Sequence, residues 1–78
     1  MELFKISLRE DLKKARIPEN EIEKILNNLK ILEKMGLSKE DIKIVMKNII
    51  SNPSFKDDFM KDPKSALRKI RSEIGFGL

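Results

Sequence analysis

The sequence predicts an all-α protein, a small single-domain bundle of four to five short helices. Apolar residues recur every three to four positions through most of the chain, capping residues separate these segments, and no segment alternates as a strand does. With 78 residues, the chain has the length of one domain, and a domain this small buries only about 60% of its unfolded surface. We divide it into a three-helix segment (1–50), a pair of short helices that begin at prolines (52–75) and a loose tail (76–78).

The first two predicted helices follow from apolar stripes. The apolar face of the first consists of Phe4, Leu8, Leu12 and Ala15. We expect Pro18 to end this helix and to lie in the first turn of the next. The stripe of the second helix consists of Ile22, Ile25, Leu26, Leu29, Leu32 and Met35. Gly36 is placed to end it in the left-handed conformation.

The third predicted helix begins at Ser38, and Asp41 follows at the position that completes a capping box. Its inward face is predicted to consist of Ile42, Val45, Met46, Ile49 and Ile50. These residues are mostly β-branched, which lowers helix propensity. The caps on both sides and the spacing still favour a helix over a strand.

The stretch 52-NPSFKDDFMKDPKSAL-67 contains two dipeptides of one kind, Asn52-Pro53 and Asp62-Pro63. Asn and Asp are among the best N-cap residues, and proline is favoured at the next position. Each dipeptide is therefore expected to start a short helix. The apolar positions of the two helices are Phe55, Phe59, Met60, Ala66, Leu67, Ile70 and Ile74. Gly75 is expected to end the second helix.

Composition excludes several chemistries. The chain has no cysteine and no histidine, so Ser-His-acid and Cys-His catalytic sites are excluded within one chain. The commonest metal ligand is absent too. We therefore expect no enzyme, no catalytic residue, no metal and no cofactor. The net charge of +4 is compatible with nucleic acid but does not argue for it. Because neither a secretory signal nor a spanning segment is recognisable, we expect a cytoplasmic protein.

Two basic segments keep a DNA-binding alternative open. On the first helix, Lys5, Arg9, Lys13 and Arg16 share a face that could follow phosphates. The competing interpretation is a solvated face paired with Glu19, Glu21 and Glu23. Residues 31–50 resemble a helix-turn-helix whose second helix carries Lys39, Lys43 and Lys47. The same pattern also builds an ordinary helical corner, and Glu40 and Asp41 would repel phosphates at its leading end.

The stretch from Asn52 to Leu67 resembles the motif of nitrile-hydratase-type leader peptides, the helical leaders of precursors to ribosomally made, enzyme-modified natural products. That family runs Asp-Pro-x-Phe, a helical turn or two, Asp-Pro-Lys-x-Ala-Leu and a glycine-containing exit. Asn52 stands for the first Asp, and Gly75 corresponds to the exit glycine. The matching residues are Pro53, Phe55, Asp62, Pro63, Lys64, Ala66 and Leu67. A similar rhythm occurs in the Asp-Pro-repeat domains of co-chaperones.

The resemblance implies a non-catalytic leader or recognition domain that binds a partner protein, such as a peptide-modifying enzyme. The partner-binding residues would be Phe55, Phe59, Asp62, Pro63, Leu67 and Ile70. The competing interpretation is that Phe55 and Phe59 belong to the core. A helical protein-interaction or immunity-type bundle, with or without homodimerisation, remains a further alternative.

Overall fold

The structure, a computed structural model, describes the backbone of residues 2–75 and the side chains of residues 4–75. The all-α prediction is confirmed for these residues, and the predicted tail 76–78 lies outside them. The helices are α1 (Glu2–Lys14), α2 (Glu19–Met35), α3 (Lys39–Ser51), α4 (Pro53–Lys61), α5 (Pro63–Leu67) and a final 3₁₀ helix (Arg68–Glu73). No helix within the described residues is long enough and apolar enough to span a bilayer.

The end of α1 differs from the prediction. The helix stops at Lys14, and Arg16 then adopts the left-handed conformation with φ 63°. The backbone N–H of Ile17 donates to the carbonyl of Leu12 at 3.2 Å, which is the bond of a Schellman cap. Arg16 therefore turns the chain before Pro18 is reached, and Pro18 is the N-cap of α2 rather than a residue of its first turn.

The corner between α2 and α3 follows the prediction. Gly36 has φ 112°, and the N–H of Leu37 donates to the carbonyl of Leu32 at 3.2 Å. Ser38 caps α3 by accepting from the N–H of Asp41 at 3.1 Å. The capping box is only half formed, because the buried carboxylate of Asp41 accepts from the N–H of Gly75 at 3.0 Å.

Both proline dipeptides start helices, as predicted. The side chain of Asn52 accepts from the N–H groups of Ser54 and Phe55 at 3.0 and 3.2 Å. The side chain of Asp62 accepts from the N–H of Ser65 at 3.3 Å. Pro53 and Pro63 occupy the first helical positions of α4 and α5. The chain therefore bends at each proline and folds back as a helix pair.

The last predicted helix is only partly α-helical. The α-helix ends at Leu67, the chain continues as a 3₁₀ helix, and Ile70 leaves helical geometry (φ −117°, ψ 22°). Helical geometry ends at Glu73, so Gly75 is not the end of this helix. Two tertiary hydrogen bonds hold this segment along α3 instead: Asn48 donates to Glu73 at 3.3 Å, and Asp41 accepts from Gly75.

The core lies where α2 and α3 meet the C-terminal helix pair. Apart from Met35, which is half-buried, the predicted stripe of α2 is fully buried. In α3 the prediction is wrong for Ile50, which is 42% exposed at the edge of the inward face. Phe55 and Phe59 stack with ring centroids 6.2 Å apart. α4 packs against both α2 and α3, so the two rings close the core on that side.

Candidate functional site

Four of the six predicted partner-binding residues lie in the core. Phe55 and Ile70 are 4% exposed, and Phe59 and Leu67 are 0% exposed. Asp62 is exposed but serves as the N-cap of α5, and Pro63 is half-buried at its start. The interpretation of Phe55 and Phe59 as core residues is confirmed. These side chains therefore offer no surface for a partner in this fold, and they act by holding the helix pair on α2 and α3.

The basic stripe predicted on α1 is interrupted. Arg9 bridges α1 to α2 by donating to Glu19 at 2.6 Å and to Glu23. The hydrogen bond to Glu23 is the main cause of the raised pKa of Arg9. Arg16 lies beyond the end of the helix in the turn. Arg9 is therefore neutralised locally, and only Lys5 and Lys13 keep the helical spacing.

The acidic residues at the start of α2 are only partly paired as expected. Glu19 and Glu23 bind Arg9, whereas Glu21 binds Lys56 of α4 at 2.8 Å. Lys69 of the 3₁₀ helix binds Asp58 of α4. Each of these ion pairs joins two helices, so the charges that they use serve the packing of the bundle.

Lys39, Lys43 and Lys47 form an exposed row along one side of α3. Residues spaced by four rise about 6 Å per step along a helix. Asp41 does not lie on this side, because its carboxylate is buried against Gly75. The sequence predicted that Glu40 and Asp41 would both repel phosphates at the start of α3. In the structure, only Glu40 is placed to do so.

An apolar groove opens between α1, α2 and α3. α1 packs mainly against α2, and the side chains between α1, α2 and α3 leave a volume of about 160 Å³. The groove is lined by Phe4, Lys5, Leu8, Leu26, Leu29, Lys30, Glu33 and Ile42. We call this feature the α1–α3 groove. Its floor is aliphatic, and Phe4 is the one aromatic residue among the described side chains that line it.

The rim of the α1–α3 groove is charged. Lys5 lies on α1 and Lys30 on α2, and Glu33 lies one turn after Lys30. The ammonium group of Lys39 lies 5.9 Å from the centre of the Phe4 ring, within cation–π range. None of the ion pairs found among the described side chains involves Lys5, Lys30 or Lys39.

Sequence reasoning found the residues of this groove's floor but not the groove. It assigned Leu26, Leu29 and Ile42 to inward faces, and all three are buried. It did not single out Lys30 or Glu33. In the sequence, both are charged residues beside the apolar stripe of α2. Most surface helices carry such residues, so the pattern does not distinguish a binding site. The distance between α1 and α3 depends on tertiary packing, which no local pattern encodes.

A second, more open depression of about 350 Å³ shares Leu8 with the groove, and its other lining residues are Asp11, Lys43, Met46, Lys47, Ile50 and Ser51. Among the side chains of residues 4–75, no group of three or more acidic residues is arranged to hold a metal ion. Comparisons with protein-family models, with curated proteins and with solved structures gave no match.

Proposed function

We propose that this chain is a non-catalytic recognition domain that binds a partner protein, such as a peptide-modifying enzyme, in the cytoplasm. The observation that carries the proposal is the α1–α3 groove, an apolar concavity with a charged rim. Concave apolar sites with a few polar groups at the edge are typical binding sites. A helix that lays an apolar side chain into such a groove is a common mode of peptide recognition.

The helix pair supports this function indirectly. Phe55 and Phe59 pack within the core, and α4 contacts α2 and α3, which form two walls of the groove. The leader-like motif would then fix the shape of the binding surface rather than provide it.

Titration of a purified peptide-modifying enzyme, of the kind that the leader-like motif implies, tests the proposal. Phe4→Ala removes the aromatic wall, and burial of such a side chain stabilises by about 1.5–3 kcal/mol. We expect binding, measured by fluorescence anisotropy, to weaken about tenfold or more. Ile31→Ala is the matched control, because Ile31 is 46% exposed on α2 and does not line the groove. Equal affinity of wild type and Phe4→Ala would exclude the groove as the site.

A second candidate, binding of duplex DNA along α3, is favoured by one observation. The carboxylate of Asp41 accepts a hydrogen bond from Gly75 on another side of α3, and the exposed row of Lys39, Lys43 and Lys47 has only Glu40 of the first-turn acids beside it. Lysine side chains bind phosphates through their charge, without a shaped pocket. Such contacts make the affinity for DNA depend steeply on salt concentration.

Salt-dependent DNA binding tests this second candidate. The logarithm of the affinity is expected to fall with that of the salt concentration with a slope of about −0.9 per phosphate contact. Lys43→Gln with Lys47→Gln should reduce the slope by about two contacts. Lys24→Gln with Lys34→Gln removes the same charge from exposed positions of α2. This control should reduce the slope of the salt dependence less. A flat salt response would rule the candidate out.

A further inference from the structure

We infer that the α1–α3 groove selects an acidic amphipathic helix, which inserts one bulky apolar side chain and presents carboxylates to Lys5, Lys30 and Lys39. The inference rests on the proposed function and names the chemistry of the partner. It combines two observations, the size of the apolar floor and the sign of the charge at the rim.

The floor of the groove fits one side chain. Its volume is about 160 Å³, and an apolar cavity of about 150 Å³ accepts a benzene ring. A leucine or phenylalanine side chain of a partner therefore matches the space between Leu8, Leu29 and Ile42. A single anchor of this kind in an apolar pocket is where the binding energy of peptide complexes concentrates.

The charge at the rim is predominantly positive. Lys5 and Lys30 line the groove together with Glu33, and Lys39 lies over the ring of Phe4, which is one wall. Among the described side chains, these three lysines outnumber the single glutamate. The ion pairs among the described side chains use other residues. Complementary charge at the rim of an interface directs the approach of a partner and rejects partners of the same sign.

A protein helix fits these observations better than a membrane does. Amphipathic helices bind bilayers by projecting apolar side chains into the acyl region. Here the apolar side chains Leu26, Leu29 and Ile42 are buried and line a concavity, so an apolar group must enter from outside. An acidic helix with one projecting anchor supplies that group and the carboxylates together.

Two designed helical peptides provide the probe. They share the same leucine and phenylalanine positions, and one carries glutamate where the other carries lysine on its polar face. In an NMR titration of the ¹⁵N-labelled full chain, we expect the acidic peptide to shift the amides of Leu29, Glu33 and Ile42. Three exposed charge pairs predict a preference of about tenfold over the lysine peptide. This preference should shrink as salt screens the pairs.

A charge-reversed variant tests the rim directly. Lys5→Glu with Lys30→Glu should reverse the preference between the two peptides. Lys13→Glu with Lys24→Glu makes the same charge change on α1 and α2 at exposed positions that do not line the groove, and should retain the preference. All four positions are exposed, so each variant is expected to fold, which circular dichroism checks.

The outcomes separate the inference from the proposed function. Equal binding of both peptides would overturn the charge selection and leave the groove as a binding site. Binding of neither peptide, alongside Phe4-dependent binding of the enzyme, would overturn the inference alone. Shifts confined to Lys43 and Lys47 would overturn it, because the peptide would then follow the row on α3. Shifts of the same groove amides by phosphatidylserine vesicles, with displacement of the peptide, would identify a membrane surface and also overturn it.

Discussion

Arg16 has a backbone conformation that its residue type disfavours. Its φ of 63° lies in the left-handed region, which costs a non-glycine residue roughly 1–2 kcal/mol. The Schellman cap at the end of α2 uses Gly36 in the equivalent place. The glycine makes the cap at the end of α2 recognisable in the sequence. The cap at Arg16 has no such signal, because the surrounding turn can force a non-glycine residue into this conformation.

Arg16→Gly is therefore expected to stabilise the chain. Relief of the left-handed strain exceeds the added entropy of the unfolded glycine, and the net gain should be about 0.5–1 kcal/mol. Urea unfolding measures it as a higher midpoint at unchanged slope. Gly36→Ala is the opposing control and should destabilise by a similar amount or more. An unchanged or lower midpoint for Arg16→Gly would mean that the arginine side chain stabilises the turn.

Asn28 has a role that follows from proline chemistry. In a continuous helix, the N–H of residue 63 would donate to the carbonyl of Phe59, and Pro63 has no N–H. The side chain of Asn28 on α2 donates to that carbonyl at 2.8 Å and to the carbonyl of Met60 at 3.3 Å. One amide from another helix thus satisfies the end of α4 where the chain bends.

Replacement of Asn28 by alanine should destabilise the chain by about 1–3 kcal/mol, since partly buried carbonyls lose their donor. Asn27→Ala, at the adjacent exposed position, should be nearly neutral in the same thermal unfolding measurement. A double-mutant cycle with Pro63→Ala tests the cause, because alanine restores an N–H near Phe59. Additive effects of the two substitutions would contradict the compensation.

Among the elements, the 3₁₀ helix shows how tertiary contacts change a locally predicted helix. Ala66, Leu67, Ile70 and Ile74 are all buried as the α-helical spacing predicts, yet the backbone leaves α geometry after Leu67. Asp41 accepts a hydrogen bond from the N–H of Gly75, and Glu73 accepts one from the side chain of Asn48. These partners lie far away in sequence, so the apolar pattern predicts which residues are buried and does not predict the backbone that buries them.

Asp41→Ala should loosen this element more than the rest of the chain. The substitution removes the acceptor for Gly75 and a first-turn acid of α3, together about 1–2 kcal/mol. Hydrogen exchange should show lost protection in Arg68–Glu73 beyond the change in the core of α2. Glu40→Ala removes a first-turn acid that is exposed, and should leave protection of the 3₁₀ helix intact. Uniform loss of protection in Asp41→Ala would show that the bond to Gly75 has no local role.

At the scale of the whole molecule, the helix starts and most core residues were predictable, whereas the ends of α1 and α5 and the arrangement of the helices were not. Caps at Ser38, Asn52 and Asp62 are encoded within a few residues of each helix start, and all three are confirmed. The burial of Phe55 and Phe59 depends on how α4 packs against α2 and α3. The same packing decides which apolar faces line a groove, and so the candidate site required the structure.

This packing predicts that the first three helices, residues 1–51, do not fold alone. Removal of the helix pair would expose α2 and α3 side chains of the core, because α4, with Phe55 and Phe59, packs against both helices and α5, with Leu67, packs against α2. The loss of even one such aromatic side chain costs about 3–5 kcal/mol, a large share of the stability of a small protein. Far-UV circular dichroism and amide NMR dispersion of residues 1–51 measure the outcome, with Phe59→Leu in the full chain as a milder perturbation that should remain folded. A well-dispersed spectrum for residues 1–51 would show that the groove forms without the helix pair, and the leader-like motif would then have no structural role in binding.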